Sequence, residues 1–235
     1  MAPSNYPALD LAPPTDSAEV QQWIQEVQAS GVVIPDIPVN VAGGCPANPA
    51  AASNTSACWW TCGGCTRETD VTTCPTKDTW GLTYDDGPSP YSPNLLDYLQ
   101  QVDLLATFFV VGSRCISYPH ILQNEYTNGH QIGVHTWSHT ALTTQTNEQI
   151  IAELGWTKKI IKDVLGVTPT TMRPPYGDIE SVFFFFFFYR FIQWVDGQLH
   201  SAIVCVPFAR PWISPQSYGL VSPHLPLSIL AVSIY

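Results

Sequence analysis

The chain has 235 residues, 45% of them hydrophobic and only 12% charged, with a formal net charge of −10. A sizeable core is possible, within one large domain or a domain with an extension. Nine basic residues and no basic run exclude nucleic acid as a partner, because gripping phosphates needs clustered Lys and Arg.

Residues 1 to about 55 are rich in Pro, Ala and Asn. One helix is expected from Ser17 to Ala29, with Val20, Trp23, Ile24 and Val27 on one face. The rest reads as an arm or linker. The opening residues lack the basic start and apolar stretch of a secretory leader. This reads either as an intracellular chain or as one that begins near a mature end, and the cysteine cluster favours the second. Cys58, Cys62, Cys65 and Cys74 crowd into "CWWTCGGCTRETDVTTC". The pair Cys62 and Cys65 has zinc-binding spacing, but no second pair follows at a finger distance, so disulfides are expected over a structural zinc. The sequon Asn54-Thr55-Ser56 fits a secreted glycoprotein.

From Lys77 the texture changes. Trp80 to Tyr84 reads as a short strand, followed by a helix capped by Ser92 with Pro93 at its first position. The apolar run Leu104 to Val111 is expected to be a strand covered on both faces. A helix from Pro119 to about Gly129 precedes a third strand, Gln131 to His135. Thr146 and Gln149 form a capping box for a long helix with the stripe Ile150, Ile151, Leu154, Ile161, Val164 and Leu165, closed by Gly166. Val167 to Met172 is a fourth strand. This alternation predicts an α/β fold with parallel strands. Three segments are read: residues 1–76 as an arm with a cysteine-rich segment, 77–180 as the N-terminal half of a barrel, and 181–235 as an atypical tail.

Chemistry in parallel barrels gathers at the carboxyl ends of strands. Three clusters fall there: Asp85-Asp86, "HTWSH" (His135 to His139) and "RPPYG" (Arg173 to Gly177). If His135 and His139 sit on a helical turn, both imidazoles reach one metal ion. The bland reading is two surface histidines in a polar loop. Two imidazoles and one carboxylate leave a fourth position for water, the pattern of a catalytic zinc. The twin aspartates then divide the work, one binding the ion and the other acting as general base, unless they merely cap the Gly87-Pro88 turn.

"TYDDG", "HTWSH" and "RPPYG", in this order, resemble the polysaccharide deacetylases of carbohydrate esterase family 4, which carry the NodB-type domain. The wider text from about Ala42 to Ile179 resembles fungal chitin deacetylases, especially basidiomycete ones. The resemblance implies a distorted (β/α) barrel of NodB type, incomplete in its C-terminal half. It implies Asp85 as general base, oriented by Arg173, with Asp86, His135 and His139 holding a divalent metal, zinc or alternatively cobalt. The backbone N–H of Tyr176, next to Pro175, is implied to face the oxyanion. The implied reaction removes N-acetyl groups from β-1,4-linked N-acetylglucosamine, with chitin or its oligomers as partner, no nucleic acid, no transmembrane segment, a monomeric state, and a secreted or cell-wall location. Acetylxylan and peptidoglycan are rival substrates. An inactive, truncated or purely glycan-binding protein is the rival class, and a chitin-binding module in residues 42–76 is a third. Trp137 is expected in the core rather than against a sugar.

After Glu180 the text departs from the family. Phe183 to Phe188 are six consecutive phenylalanines, with no amphipathic period and too short to span a bilayer. The family's Asp-Trp motif and late general-acid histidine have no counterpart here, since His200 and His224 lack the context. The tail reads as translated intron rather than natural continuation, and "LPLSILAVSIY" is too short for a GPI signal. Cysteine parity leaves either Cys205 or Cys115 as the odd thiol.

Overall fold

The structure is a computed structural model that describes residues 2–31, 34, 37–66 and 70–180, with the backbone of 205–207. The phenylalanine run, His200 and His224 therefore lie outside the described residues.

The centre is a parallel sheet of β2 (Thr83–Asp85), β3 (Thr107–Val110) and β4 (Gln131–Val134), in that order. The register sets Asp85 opposite Phe109 and Val110 opposite Val134. All four β3 residues are buried, which is why that strand reads as an unbroken apolar run. The expected first strand is divided. Residues Thr79–Gly81 form β1, which pairs antiparallel with β5 (Cys205–Pro207), whereas β2 joins the parallel sheet. The chain changes sheets at Leu82, whose carbonyl still accepts from Thr107 N at 3.0 Å. The expected fourth strand shrinks to a bridge between Met172 and Val134. Pro169 lies within that segment and offers no N–H to a ladder.

Three single-turn helices, α2 (Gly44–Ala47), α3 (Pro49–Ala52) and α4 (Trp60–Gly63), lie in the cysteine-rich segment, and longer helices fill the crossovers: α5 (Ser92–Gln101), then α6 (Gly112–Ser117) and α7 (Pro119–Thr127), then α8 (Asn147–Leu165). The helix α6 escapes a reading that passes directly from strand to Pro119. Ser92 is the first helical residue rather than the cap, and its Oγ accepts from Ser89 N at 3.1 Å. The capping box of α8 forms as expected, and Gly166 ends the helix at φ +77°. The α/β class thus follows from the alternation that the sequence carries.

The first half of α8 is buried almost all round rather than along one stripe. The cause is helix α1 (Ala18–Ala29), capped by Ser17 and packed on α8. Trp23 lies so close to Gly155 that a Cβ there would meet its ring at 2.3 Å. Trp156 in turn meets Trp23 and Tyr6 edge-on, at 5.4 and 5.9 Å between centroids. The predicted apolar face of α1 is what makes this contact, since Val20, Trp23, Ile24 and Val27 all join the core. Trp137 is fully buried, as expected, and its Nε1 donates to Ala8 O at 3.0 Å.

Disulfides join Cys45 to Cys62 and Cys58 to Cys65, and Cys74 is also disulfide-bonded. The Cys62/Cys65 spacing therefore serves two crosslinks, not a zinc ion. Cys115 is a buried free thiol. Among the described residues no helix is long and apolar enough to cross a membrane.

Candidate metal centre and active site

The strand β2 ends at Asp85, and the next residue enters the left-handed region, with Asp86 at φ +70°. That reversal sends neighbouring carboxylates in different directions. Asp85 Oδ1 receives Arg173 Nη1 at 2.6 Å, while Asp86 Oδ1 faces His139 Nε2 at 2.9 Å and His135 Nε2 at 3.3 Å. The expected divergence of the twin aspartates is present, and so is the convergence of three strand ends.

His135 follows β4 directly, and its side chain is 3% exposed. Its Nδ1 lies 2.7 Å from the Arg173 carbonyl. A carbonyl only accepts, so Nδ1 carries the proton and Nε2 presents a bare lone pair. A bare Nε2 beside a carboxylate oxygen places two acceptors in contact. A cation between them resolves the conflict, so the residues present fit a metal ion. The ligand atoms of Asp86, His135 and His139 all lie within 4.8 Å of one another, a size that suits one ion.

The two histidines do not meet through a helical turn, contrary to the spacing argument. "HTWSH" is a loop with Thr136 at φ +66° and His139 at φ +58°. For a β-branched Thr this backbone is strongly disfavoured, at roughly 1–3 kcal/mol. Tyr176, at φ +60°, is a fourth non-glycine residue of this kind at the site. Backbone clamps hold the loop. Gly112 N and Ser113 N, at the start of α6, donate to the carbonyls of Thr136 and Trp137 at 2.9 and 3.2 Å. On the other side, Glu153 Oε2 accepts from Trp137 N at 2.7 Å and Ser138 N at 2.9 Å, and Oε1 accepts from Ser138 Oγ. Burial pushes the Glu153 carboxyl up, against the pull of these donors.

Arg173 continues from the Met172 bridge, its N–H on Val134 O at 2.9 Å. Its guanidinium also donates to Thr83 Oγ1 at 2.9 Å and lies 4.3 Å from the Phe109 ring centroid. A stacked, twice-donating guanidinium fixes Asp85 in one orientation. Pro175 is buried and Tyr176 is 62% exposed, its ring edge-on to His139 at 4.8 Å.

Sequence reasoning missed Glu153 and Asp178. Glu153 is a fully buried charge three residues after Ile150 on the apolar side of α8, which was its one available signal. Asp178 accepts from Trp59 Nε1 at 2.7 Å, Thr61 Oγ1 at 3.1 Å, and Thr143 N and Oγ1 at 3.1 and 2.7 Å. It joins the cysteine-rich segment to the loop that follows the site, a contact no local pattern announces.

A family model described as polysaccharide deacetylase matches residues 72–184. Over 178 residues, 76% of this chain, the sequence is 59% identical to Chitin deacetylase 1 of Cryptococcus neoformans var. grubii. It is 40% identical over 148 residues, 60% of this chain, to the chitin deacetylase of Amylomyces rouxii. The chain spans 37% and 33% of the length of those two relatives. A solved structure titled "T48 deacetylase with substrate" aligns with 42% of this chain and 49% of its own at 45% identity and TM-score 0.41.

Proposed function

Because the chain belongs, through residues 72–184, to the polysaccharide deacetylase family, we propose that it is a metal-dependent hydrolase of N-acetyl groups on β-1,4-linked N-acetylglucosamine. One observation carries the reading: Asp86 turns to the two histidines while its neighbour Asp85 is held by Arg173. Adjacent, chemically identical side chains are thereby given separate tasks.

In this proposal Asp86, His135 and His139 hold the ion, and two imidazoles with one carboxylate suit zinc or cobalt. The ion would supply Lewis acidity toward the acetyl carbonyl and acidify a water. Asp85 takes the proton of the attacking water, and Arg173 keeps its carboxylate aimed. The backbone N–H of Tyr176, on the turn begun by Pro175, faces the negative charge that develops on the carbonyl oxygen. Hydrolysis breaks the amide C–N bond and gives acetate and a free amine, which must receive a proton as it leaves. The five site side chains lie within residues 77–180, the proposed N-terminal half of the barrel. Disulfides support a secreted or cell-wall location, since they persist in oxidising compartments.

The test is metal analysis of the purified chain together with acetate release from acetylated glucosamine oligomers, acetylated xylan and peptidoglycan. Stoichiometric zinc or cobalt with acetate from the glucosamine oligomers is expected. Metal bound but no acetate from any of the three would leave a glycan-binding protein and refute the hydrolase. Preference for xylan or peptidoglycan would move the substrate.

A further inference from the structure

We propose that Trp60, with Tyr176, forms an aromatic platform that carries the sugar units beside the one being deacetylated, so that the disulfide-bonded segment ahead of the matched domain reads glycan length. The inference rests on the deacetylase reading for the position of the reacting sugar.

Adjacent tryptophans in "CWWTC" have opposite fates. Trp59 is 4% exposed and is the key, its Nε1 bonded to Asp178. Trp60 is 44% exposed. Its backbone N–H donates to Ile179 O at 3.0 Å. Its ring lies on Gly177, where a Cβ would meet Cζ3 at 2.4 Å, so only glycine admits the contact. The two disulfides enclose residues 58 to 62, and Thr61 Oγ1 adds a second bond to Asp178. Trp60 is thus an indole fixed in place yet left open to solvent.

Its position gives it meaning. Single exposed apolar residues are ordinary, but this one packs on Gly177, next in sequence to Tyr176, which is more exposed and whose ring lies edge-on to His139. Two exposed aromatic side chains, Tyr176 and Trp60, thus flank the backbone at Gly177, with Tyr176 reaching the ligand cluster. Consecutive Cα atoms are about 3.8 Å apart, so an indole seated on Gly177 lies beside the oxyanion N–H of Tyr176, not across the protein from it. Rigid aromatic faces present large apolar area at small entropic cost, which suits the C–H faces of a neutral pyranose. An anionic ligand is disfavoured by the chain's acidic balance.

The test is calorimetric titration of the full, zinc-loaded chain with N-acetylglucosamine oligomers from one to six units, with acetate release followed in parallel. Trp60→Ala and Trp60→Gln are expected to weaken the longer oligomers roughly tenfold, the loss usual for a central aromatic anchor. Binding of the single sugar and of zinc should not change, and Trp60→Phe should restore most of the loss. Equal affinity of wild type and Trp60→Ala for every length, equal loss at every length, or no oligomer binding by the wild type would each overturn the platform. The two readings fail separately. A length-dependent loss without acetate release from the wild type removes the hydrolase and keeps the platform, and acetate release with no length effect does the reverse.

Discussion

Replacing Glu153 tests whether the metal centre depends on a residue that touches no ligand atom. Its Oε2 satisfies the N–H groups of Trp137 and Ser138, the residues between the two histidines. In Glu153→Ala both donors lose their acceptor in a buried site, at about 1–3 kcal/mol each. A total of roughly 2–6 kcal/mol is comparable with the whole stability of many domains. Glu153→Gln separates charge from geometry. Its amide oxygen can accept both N–H groups, and its amide nitrogen can donate to Ser138 Oγ. That hydroxyl can then donate to Thr140 Oγ1, 2.6 Å away. The expected outcome is zinc affinity reduced about 10–100-fold in Glu153→Ala, the usual cost of losing a supporting contact, and within a few-fold of wild type in Glu153→Gln. Competition with a chromophoric chelator measures the affinity, and thermal unfolding of the metal-free proteins measures the clamp. A Glu153→Ala protein that binds zinc as tightly as wild type would refute the reasoning.

Three further outcomes are expected. Asp86→Ala should abolish stoichiometric zinc, whereas Asp85→Asn should retain zinc and lose acetate release, as atomic absorption and a coupled acetate assay will show. Burial, against the pull of the Ser92 hydroxyl, pushes the Glu125 carboxyl up to about 8 from an ordinary 4.5. A raised carboxyl favours the folded state fully below its unfolded value, and that contribution is lost as pH rises through about 8, by a few kcal/mol. Glu125→Gln should therefore flatten the decline of melting temperature between these limits, and an unchanged slope would contradict the assignment. Gly133→Ala should cost about 1–3 kcal/mol in urea unfolding, because a Cβ there meets the Phe109 ring at 2.6 Å and Thr171 Oγ1 at 2.8 Å.

The site's residues were legible because each sits where a readable strand ends. "TYDDG", "HTWSH" and "RPPYG" are local text, and the alternation of strand and helix around them is local too. The capping box at Thr146 and the apolar face of α1 were equally plain. How the histidines meet was not legible, since their spacing suggested a helical turn and the loop instead uses left-handed residues held by Glu153. The closure of α8 by the N-terminal segment, and the docking of Trp59 on Asp178 across 119 residues of sequence, depend on contacts between distant stretches. Periodicity and spacing carry no record of such partners. The division of the first strand has the same origin, because β1 and β2 pair with different neighbours.

The strands β2, β3 and β4 lie side by side in the order in which a ribosome makes them. Among the described residues no later strand threads between earlier ones to bring Asp86 to His135 and His139. During translation at about 5–20 residues per second, these three strands can pair in the order in which they emerge, whereas the contact of His135 Nδ1 with the Arg173 carbonyl waits for the later segment.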